Sequence, residues 1–399
     1  MRLTLVTETF APQVNGVSRT LGQLVNHLEQ AGDSVQVIHP DYGQPERPDH
    51  QVVASWPFPF YREVRVPVPP FGPSLRAIDA FRPDLIHVAT EATLGWVALR
   101  HGRRRGLPVV SSFHTNFDQY CDHYRLGWAK RGVWRYLRWF HNRTLETYVP
   151  SRATIEDLEA RGFERLVLWP RGVDGGLFRP DRPRRAEVRA ALGFGPDDVV
   201  IGHVSRLAAE KNVMVLADAL QAVGEARPGV RSLFVGDGPA REELEARMGP
   251  NARFVGYKGG EDLADHYAAA DLFAFASLTE TFGNVVLEAL ASGLPVVAIR
   301  AGGVGDIVRS GETGLLVEPT APPSELAAAL LRLVDSPGLR REMAASARSH
   351  ATGQTWAAIM GRLRDRYLAI AGGGVGGGVG VGAISTPAFG PAAASNAAK

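Results

Sequence analysis

The chain has 399 residues, 45% of them hydrophobic and 22% charged, with a formal net charge of +2. That length exceeds what one hydrophobic core supports and favours two domains of roughly 150 to 200 residues, and the composition excludes disordered and fibrous classes. Near-neutrality gives no argument for nucleic acid as a partner, and a single cysteine, Cys121, rules out an internal disulfide framework.

Met-Arg-Leu-Thr-Leu-Val-Thr at the start reads as a strand and lacks the apolar core and cleavage site of a signal peptide. No apolar run of about 18 residues follows. The expectation is a cytoplasmic protein, at most peripheral to the inner face of the cell membrane.

Short β-branched runs alternate with helical patterns from the first residue, which predicts parallel sheets flanked by helices. Strands are expected at Leu3–Thr7, Val35–His39, Leu85–Val88 and Val109–Ser112, with a helix from Val17 to Ala31 ended by Gly32. From Pro40 to Pro73 nine prolines and weak periodicity predict irregular loops or an edge hairpin, either as plain surface or as an acceptor-shaping loop. Residues Arg125–Arg143 hold six basic residues, no acidic ones and several aromatics. Arg131, Arg135 and Arg138 share one helical face and Val133, Leu137 and Phe140 the other. This is either a surface helix packed on a core or an interfacial helix drawn to an anionic membrane.

A Gly, Pro and charge-rich stretch from Trp169 to Pro183 reads as an interdomain connection. Beyond it, strands are expected at Val199–Val204, Ser232–Val235, Arg253–Val255, Leu272–Phe275 and Pro295–Ile299. Trp356 to Ile370 reads as an amphipathic helix, and Gly372 to Lys399, dominated by Gly and Ala, as a disordered tail. The organisation expected is an N-terminal domain over 1–175, a second domain over 176–350, a C-terminal helix over 351–371 packing back toward the first domain, and the tail over 372–399. A cleft between the two sheets is expected, because ligands of open α/β sheets sit beyond the strands' carboxyl ends.

The chemistry concentrates at Thr279-Glu280-Thr281-Phe282-Gly283-Asn284-Val285-Val286-Leu287-Glu288. A glycine turn opening a helix leaves unpaired N–H groups where the dipole favours an anion, here the amides of Gly283, Asn284 and Val285. Glu280 lies before the helix and Glu288 about one turn into it, so the two carboxylates reach different parts of one ligand; the plain alternative is an acidic helix start. A leaving diphosphate needs its charge neutralised, and the chain has no Asp-x-Asp pair for a divalent metal. It offers Arg206 and Lys211, just after the first strand of the second domain.

The Glu-x7-Glu spacing with Arg206 and Lys211 resembles family 4 of the glycosyltransferases, retaining enzymes of the GT-B fold with two Rossmann-like domains. The order of Asn15-Gly16-Val17, Phe113-His114-Thr115, Arg206 with Lys211, Gly236-Asp237-Gly238-Pro239, Glu280 and Glu288 carries the resemblance over residues 1 to 370. It implies that Arg206 and Lys211 hold the donor diphosphate, Glu280 the transferred sugar and Glu288 the ribose. Phe282, Gly283, Asn284 and Val285 complete the donor site. Val255 and Tyr257 line the base, Gly16 approaches the diphosphate from the first domain, and His114 contacts the donor sugar. Asn15 and Asn116 are assigned to the acceptor. Many members have two adjacent glycines where this chain has Asn15-Gly16.

Within the family the resemblance is to bacterial GDP-mannose-dependent α-mannosyltransferases, several acting on glycolipids. It implies front-face transfer without an enzyme nucleophile, no cofactor or metal, and a lipid or glycan acceptor. A UDP-glucose or UDP-sulfoquinovose enzyme, a GT-B nucleotide-sugar epimerase and a non-catalytic sensor stay open. The lack of Gly-x-Gly-x-x-Gly after a first strand argues against a dehydrogenase.

Overall fold

A strand buried on both faces must be apolar throughout, and Leu3, Leu5 and Val6 of the first strand, like Val200 and Ile201 much later, are fully or almost fully buried. In the computed structural model, which describes residues 1–13, 15–43, 48–58, 61–114 and 130–373, such runs assemble into two compact units. Of the described residues, one comprises Met1–Arg171 together with 356–373, and the other Gly172–Thr355.

The first unit contains β1 (Arg2–Val6), β2 (Ser34–Pro40), β3 (His50–Val53), β4 (Ser55–Phe58), β5 (Tyr61–Pro67), β6 (Leu85–Val88), β7 (Val109–Ser112), β8 (Thr147–Val149) and β9 (Leu166–Leu168). Its main sheet runs β3-β2-β1-β6-β7-β8-β9, every neighbouring pair parallel. One face packs Leu3, Leu5, Val35 and Val37 against Leu21, Leu24 and Leu28 of the helix Gly16–Gln30 and against Ile359, Met360, Leu363 and Tyr367 of the helix Trp356–Ala371. The returning helix is tied in by Arg364 donating to Asp33 at 2.6 Å and Arg366 to Glu146 at 2.9 Å. On the other face Val6, Ile38, Ile86 and Val88 meet Ile78, Leu94, Ala98 and Leu99.

The proline-rich stretch is more ordered than its sequence suggests. His50–Val53 adds in parallel to the sheet edge, and β4 and β5 form a separate antiparallel pair. An edge strand is where proline-flanked segments still find ladder partners.

The second unit contains β10 (Val199–Val204), β11 (Val230–Val235), β12 (Ala252–Phe254), β13 (Leu272–Phe275), β14 (Val296–Ile299) and β15 (Gly314–Val317), ordered β12-β11-β10-β13-β14-β15, again all parallel. Alternate residues supply the two faces. Val200, Phe273, Phe275 and Val296 pack with Val286, Leu287 and Leu290, while Ile201, Leu272, Ala274 and Val297 pack with Leu216, Leu220, Leu326 and Leu330. Both sheets reverse strand order at the first strand of their unit, between β1 and β6 and between β10 and β13. That reversal splays the following loops and opens a crevice at the carboxyl ends. No helix among the described residues is long and apolar enough to cross a membrane.

Candidate active site

The loops beyond β10 and β13 bring the basic and acidic residues of the second unit together. The chain leaves β10 through Ser205 and Arg206, makes a short 3-10 turn over Ala209–Lys211, and starts a helix at Val213. Lys211 Nζ donates to Glu280 Oε1 at 2.5 Å, both side chains half-buried. Thr279 Oγ1 donates to the Glu210 carbonyl at 3.1 Å, a second tie between the two loops. Arg206 pairs with Glu210 four residues on, its side chain 55% exposed.

Behind them His203 is buried on β10, and burial, with the Lys211 charge as a lesser cause, drops its pKa to about 4. The imidazole is therefore neutral. Its Nδ1 donates to the Ala274 carbonyl at 3.0 Å, so Nε2 accepts from Ser205 Oγ at 2.7 Å. This fixes the backbone from which Arg206 projects.

The turn at Gly283 (φ 105°) opens the helix Asn284–Ala291, whose first amides precede any intrahelical acceptor. Val286 N is the first to bond back, to the Gly283 carbonyl at 3.0 Å. Glu280 is held by a close backbone approach: Gly303 N donates to its carbonyl at 2.9 Å, and a Cβ on Gly302 would lie 2.1 Å from that same oxygen. The carboxylates are set apart by depth. Glu288 is 3% exposed on the helix's inner side, where Tyr267 Oη lies 3.2 Å from its Oε2 and 3.0 Å from the Val285 carbonyl. One hydroxyl proton serves one of these acceptors at a time, so Tyr267 can turn to Val285 and leave Oε2 to another donor.

Gly236 and Gly238 carry the loop after β11 against the loop after β10. A Cβ on Gly236 (φ 128°) would meet the Ser205 carbonyl oxygen at 1.9 Å, and Leu207 N donates to the Asp237 carbonyl at 2.9 Å. Val255 follows β12, its N bonded to the Phe234 carbonyl at 3.1 Å, and Tyr257 beyond it is 69% exposed. Phe282 is buried under Gly303.

In the first unit Asn15 caps the helix Gly16–Gln30: its side chain accepts from Ser18 N at 2.8 Å, which leaves the Gly16 amide at an exposed helix start. Its Nδ2 donates to Thr9 Oγ1 at 3.0 Å. Asn116 lies outside the described residues, as do residues 125–129 of the basic stretch.

His114, just past β7, is 8% exposed and both ring nitrogens are engaged. Arg171 Nη2 donates to Nδ1 at 3.0 Å, so Nε2 carries the proton and donates to Ser112 Oγ at 2.7 Å. Ser112 then donates to His87 Nε2 at 2.9 Å, and His87 Nδ1 to Tyr367 Oη at 2.8 Å. Burial, with the Arg171 charge next, holds His114 well below its ordinary pKa, and burial drops His87 to about 3, so both rings are neutral. Sequence reasoning had no signal for Arg171, which it assigned to a linker, nor for this chain of contacts.

One further group escaped the sequence. Glu8 follows β1 at the strand-order reversal of the first sheet, and its Oε1 accepts from Leu94 N at 2.7 Å. Burial, partly offset by that N–H and reinforced by Glu91, pushes its pKa up to about 7.

Two parallel sheets of this strand order, the second with basic side chains, a carboxylate and a helix start gathered at its carboxyl edge, have the architecture of the GT-B class. The solved structures agree in fold: Anabaena HepE in complex with UDP and glucose superposes with a TM-score of 0.73 at 22% identity over 92% of this chain and 99% of that one, and sucrose-phosphate synthase from Thermosynechococcus elongatus with 0.76 at 22% over 93% and 99%.

The chain belongs to glycosyltransferase family 4. Residues 14–175 match the Glycosyltransferase Family 4 domain and residues 198–336 the domain described as Glycosyl transferases group 1. A GDP-mannose-dependent alpha-mannosyltransferase of Mycobacterium tuberculosis is 36% identical over 93% of this chain and 97% of its own length. The sulfoquinovosyl transferase SQD2 of Arabidopsis thaliana is 33% identical over 90% and 71%.

Proposed function

We propose that this enzyme transfers mannose from GDP-mannose, with retention, to a hydroxyl of a lipid-linked or glycan acceptor. The observation that carries the reading is the Lys211–Glu280 contact beside the helix start at Asn284: a phosphate-binding cation and a hydroxyl-binding carboxylate stand side by side, as a diphosphate joined to a hexose requires. Arg206, Lys211 and the Gly283–Val285 amides take the diphosphate, Glu280 the sugar hydroxyls, Glu288 the ribose, and Val255 with Tyr257 the base. In the first unit the residues proposed on the family resemblance are Gly16 and His114 for the donor and Asn15 and Asn116 for the acceptor. Since both nitrogens of His114 are engaged, it offers the sugar its ring edge unless a nitrogen exchanges partners.

The acceptor oxygen forms the new bond to the anomeric carbon on the face from which the diphosphate departs, and its proton passes to the departing phosphate oxygen. Positioning and charge stabilisation of the leaving group carry the rate. Arg206 and Lys211 supply the positive charge, so transfer is expected without an added divalent ion and unchanged by EDTA. A screen of GDP-mannose, UDP-glucose and UDP-sulfoquinovose against lipid and soluble acceptors tests the assignment. Mannose transfer from GDP-mannose is expected; transfer from a UDP-sugar alone overturns it in favour of the second reading, which the likeness to the Arabidopsis transferase supports.

The acceptor is proposed to be reached at the inner face of the cell membrane. On the helix Lys130–His141, Leu137 and Phe140 are buried, while Arg131, Arg135, Tyr136 and Trp139 are exposed and Arg143 lies over the Trp139 ring at 4.4 Å. Aromatic and basic side chains on one surface suit an anionic headgroup layer. Liposome flotation should show dependence on anionic lipid and loss on reversing Arg131 and Arg135; indifference to both removes this part of the reading.

A further inference from the structure

Most arginines that anchor these units reach a carboxylate, and Arg348 and Arg253 each reach three main-chain carbonyls instead; Arg171 has neither set. Arg189 reaches Asp271 at 3.1 Å, Arg182 reaches Asp265 at 2.7 Å, and Arg364 and Arg366 reach Asp33 and Glu146. Arg171 is 5% exposed and, among the described residues, forms no ion pair. It donates to the Trp169 carbonyl at 2.7 Å and to His114 Nδ1 at 3.0 Å, and lies over the Trp169 ring at 4.8 Å. Those contacts use two of its five N–H groups. The indole N–H of Trp169, a residue 2% exposed, is also buried without a hydrogen-bond partner. Burial alone lowers the guanidinium pKa to about 9, and it remains charged at neutral pH.

A desolvated cation without a counter-charge is unfavourable, and a donor left beside it adds to that penalty. Both are relieved by one occupant, an oxyanion. We propose that Arg171, with the Trp169 indole, forms an anion site of the first unit that takes a phosphate group. The choice of phosphate rests on the glycosyltransferase reading, in which a nucleoside diphosphate leaves; the site itself rests on the uncompensated charge. Either the donor diphosphate or a phosphorylated acceptor supplies that group. His114 is then the neutral neighbour that Arg171 holds with its proton on Nε2, so the anion faces one positive charge and, among the described residues, no carboxylate paired with it.

The test uses the full chain carrying Arg206→Ala and Lys211→Ala, which removes the cations of the second unit. Calorimetric titration with inorganic phosphate, pyrophosphate and GDP is made before and after adding Arg171→Gln, which keeps a donor for His114 but drops the charge. Phosphate or pyrophosphate binding that Arg171→Gln weakens roughly tenfold to a hundredfold supports the site. GDP displacing phosphate in the double variant names the donor as the source, and its failure to do so names an anionic acceptor. On an otherwise unaltered chain, Arg171→Gln should leave or raise the thermal midpoint in phosphate-free buffer, because an unpaired buried charge is gone. Phosphate binding that ignores Arg171→Gln, no phosphate binding at all, or a lowered midpoint with unchanged phosphate response overturns the proposal and leaves Arg171 as a clamp on His114. None of these measurements depends on sugar transfer, so they stand apart from the donor assignment.

Discussion

Glu8→Gln isolates one titration. The carboxyl has an ordinary value of 4.5 in the unfolded chain and about 7 in the folded one, with burial as the main cause. Between those values the folded state holds a proton that the unfolded state has released. Stability contributed by this group is therefore full below pH 4.5, falls as pH rises toward 7, and is flat above. The difference of about 2.5 units corresponds to at most about 3 kcal/mol. Glutamine keeps an oxygen for Leu94 N but cannot ionise, so the variant lacks that slope. Urea unfolding of both proteins at pH 4.5, 5.5, 6.5 and 8 should show the variant gaining on the parent by up to that amount across the range, with nearly all of the gain before pH 7.5. Parallel stability curves would mean that Glu8 is ionised throughout and that water reaches it, which would refute the argument from burial.

Arg206→Ala and Lys211→Ala should each lower kcat by roughly a hundredfold to a thousandfold, the scale of losing one charge-stabilising donor; near-normal transfer in both, by steady-state assay, would count against the diphosphate role. Gly302→Ala places a methyl 2.1 Å from the Glu280 carbonyl at a φ of 50°, and is expected to lose about 1–3 kcal/mol in thermal unfolding and to raise KM for the donor. Glu210→Gln frees Arg206 from its own carboxylate and should tighten GDP binding severalfold at low salt, an advantage that disappears near 1 M salt.

The central strands were legible because a parallel sheet covered on both faces writes itself as short apolar runs: Val199–Val204 and Leu272–Phe275 coincide with β10 and β13. The three-residue β8 and β9 are too short to carry a period, and β3 is specified by its edge pairing with β2, which no local pattern records. In the candidate site the same divide holds. Arg206, Lys211, Glu280 and Glu288 lie next to strand ends or a helix start, so spacing alone places them on one edge. The surroundings of His114 depend on Arg171, 57 positions away, and on Tyr367, 280 positions from His87. Contacts at that separation are products of the sheet order, which the sequence does not spell out. Trp169 and Arg171 were read as linker because they lie among glycine and proline, yet both are buried.

Arg171 and the Arg206–Lys211 pair hold their positive charge in opposite ways, and the consequence is measurable. Arg206 and Lys211 are already closed on Glu210 and Glu280, so an incoming phosphate exchanges one ion pair for another in a partly solvated setting. Such an exchange yields modest affinity and strong screening, because salt weakens exposed pairs within a Debye length of about 10 Å at 0.1 M. Among the described residues Arg171 has no carboxylate to displace, and its desolvation is complete once the first unit has folded. An anion there gains its Coulomb interaction in a low-dielectric site without giving up a competing pair. Salt should therefore separate the two: phosphate binding carried by Arg206 and Lys211 falls steeply between 0.05 and roughly 0.5 M salt, and the part carried by Arg171 much less. Equal salt dependence in Arg171→Gln and in the Arg206→Ala, Lys211→Ala chain would show that Arg171 is as solvated as the others and would remove the distinction.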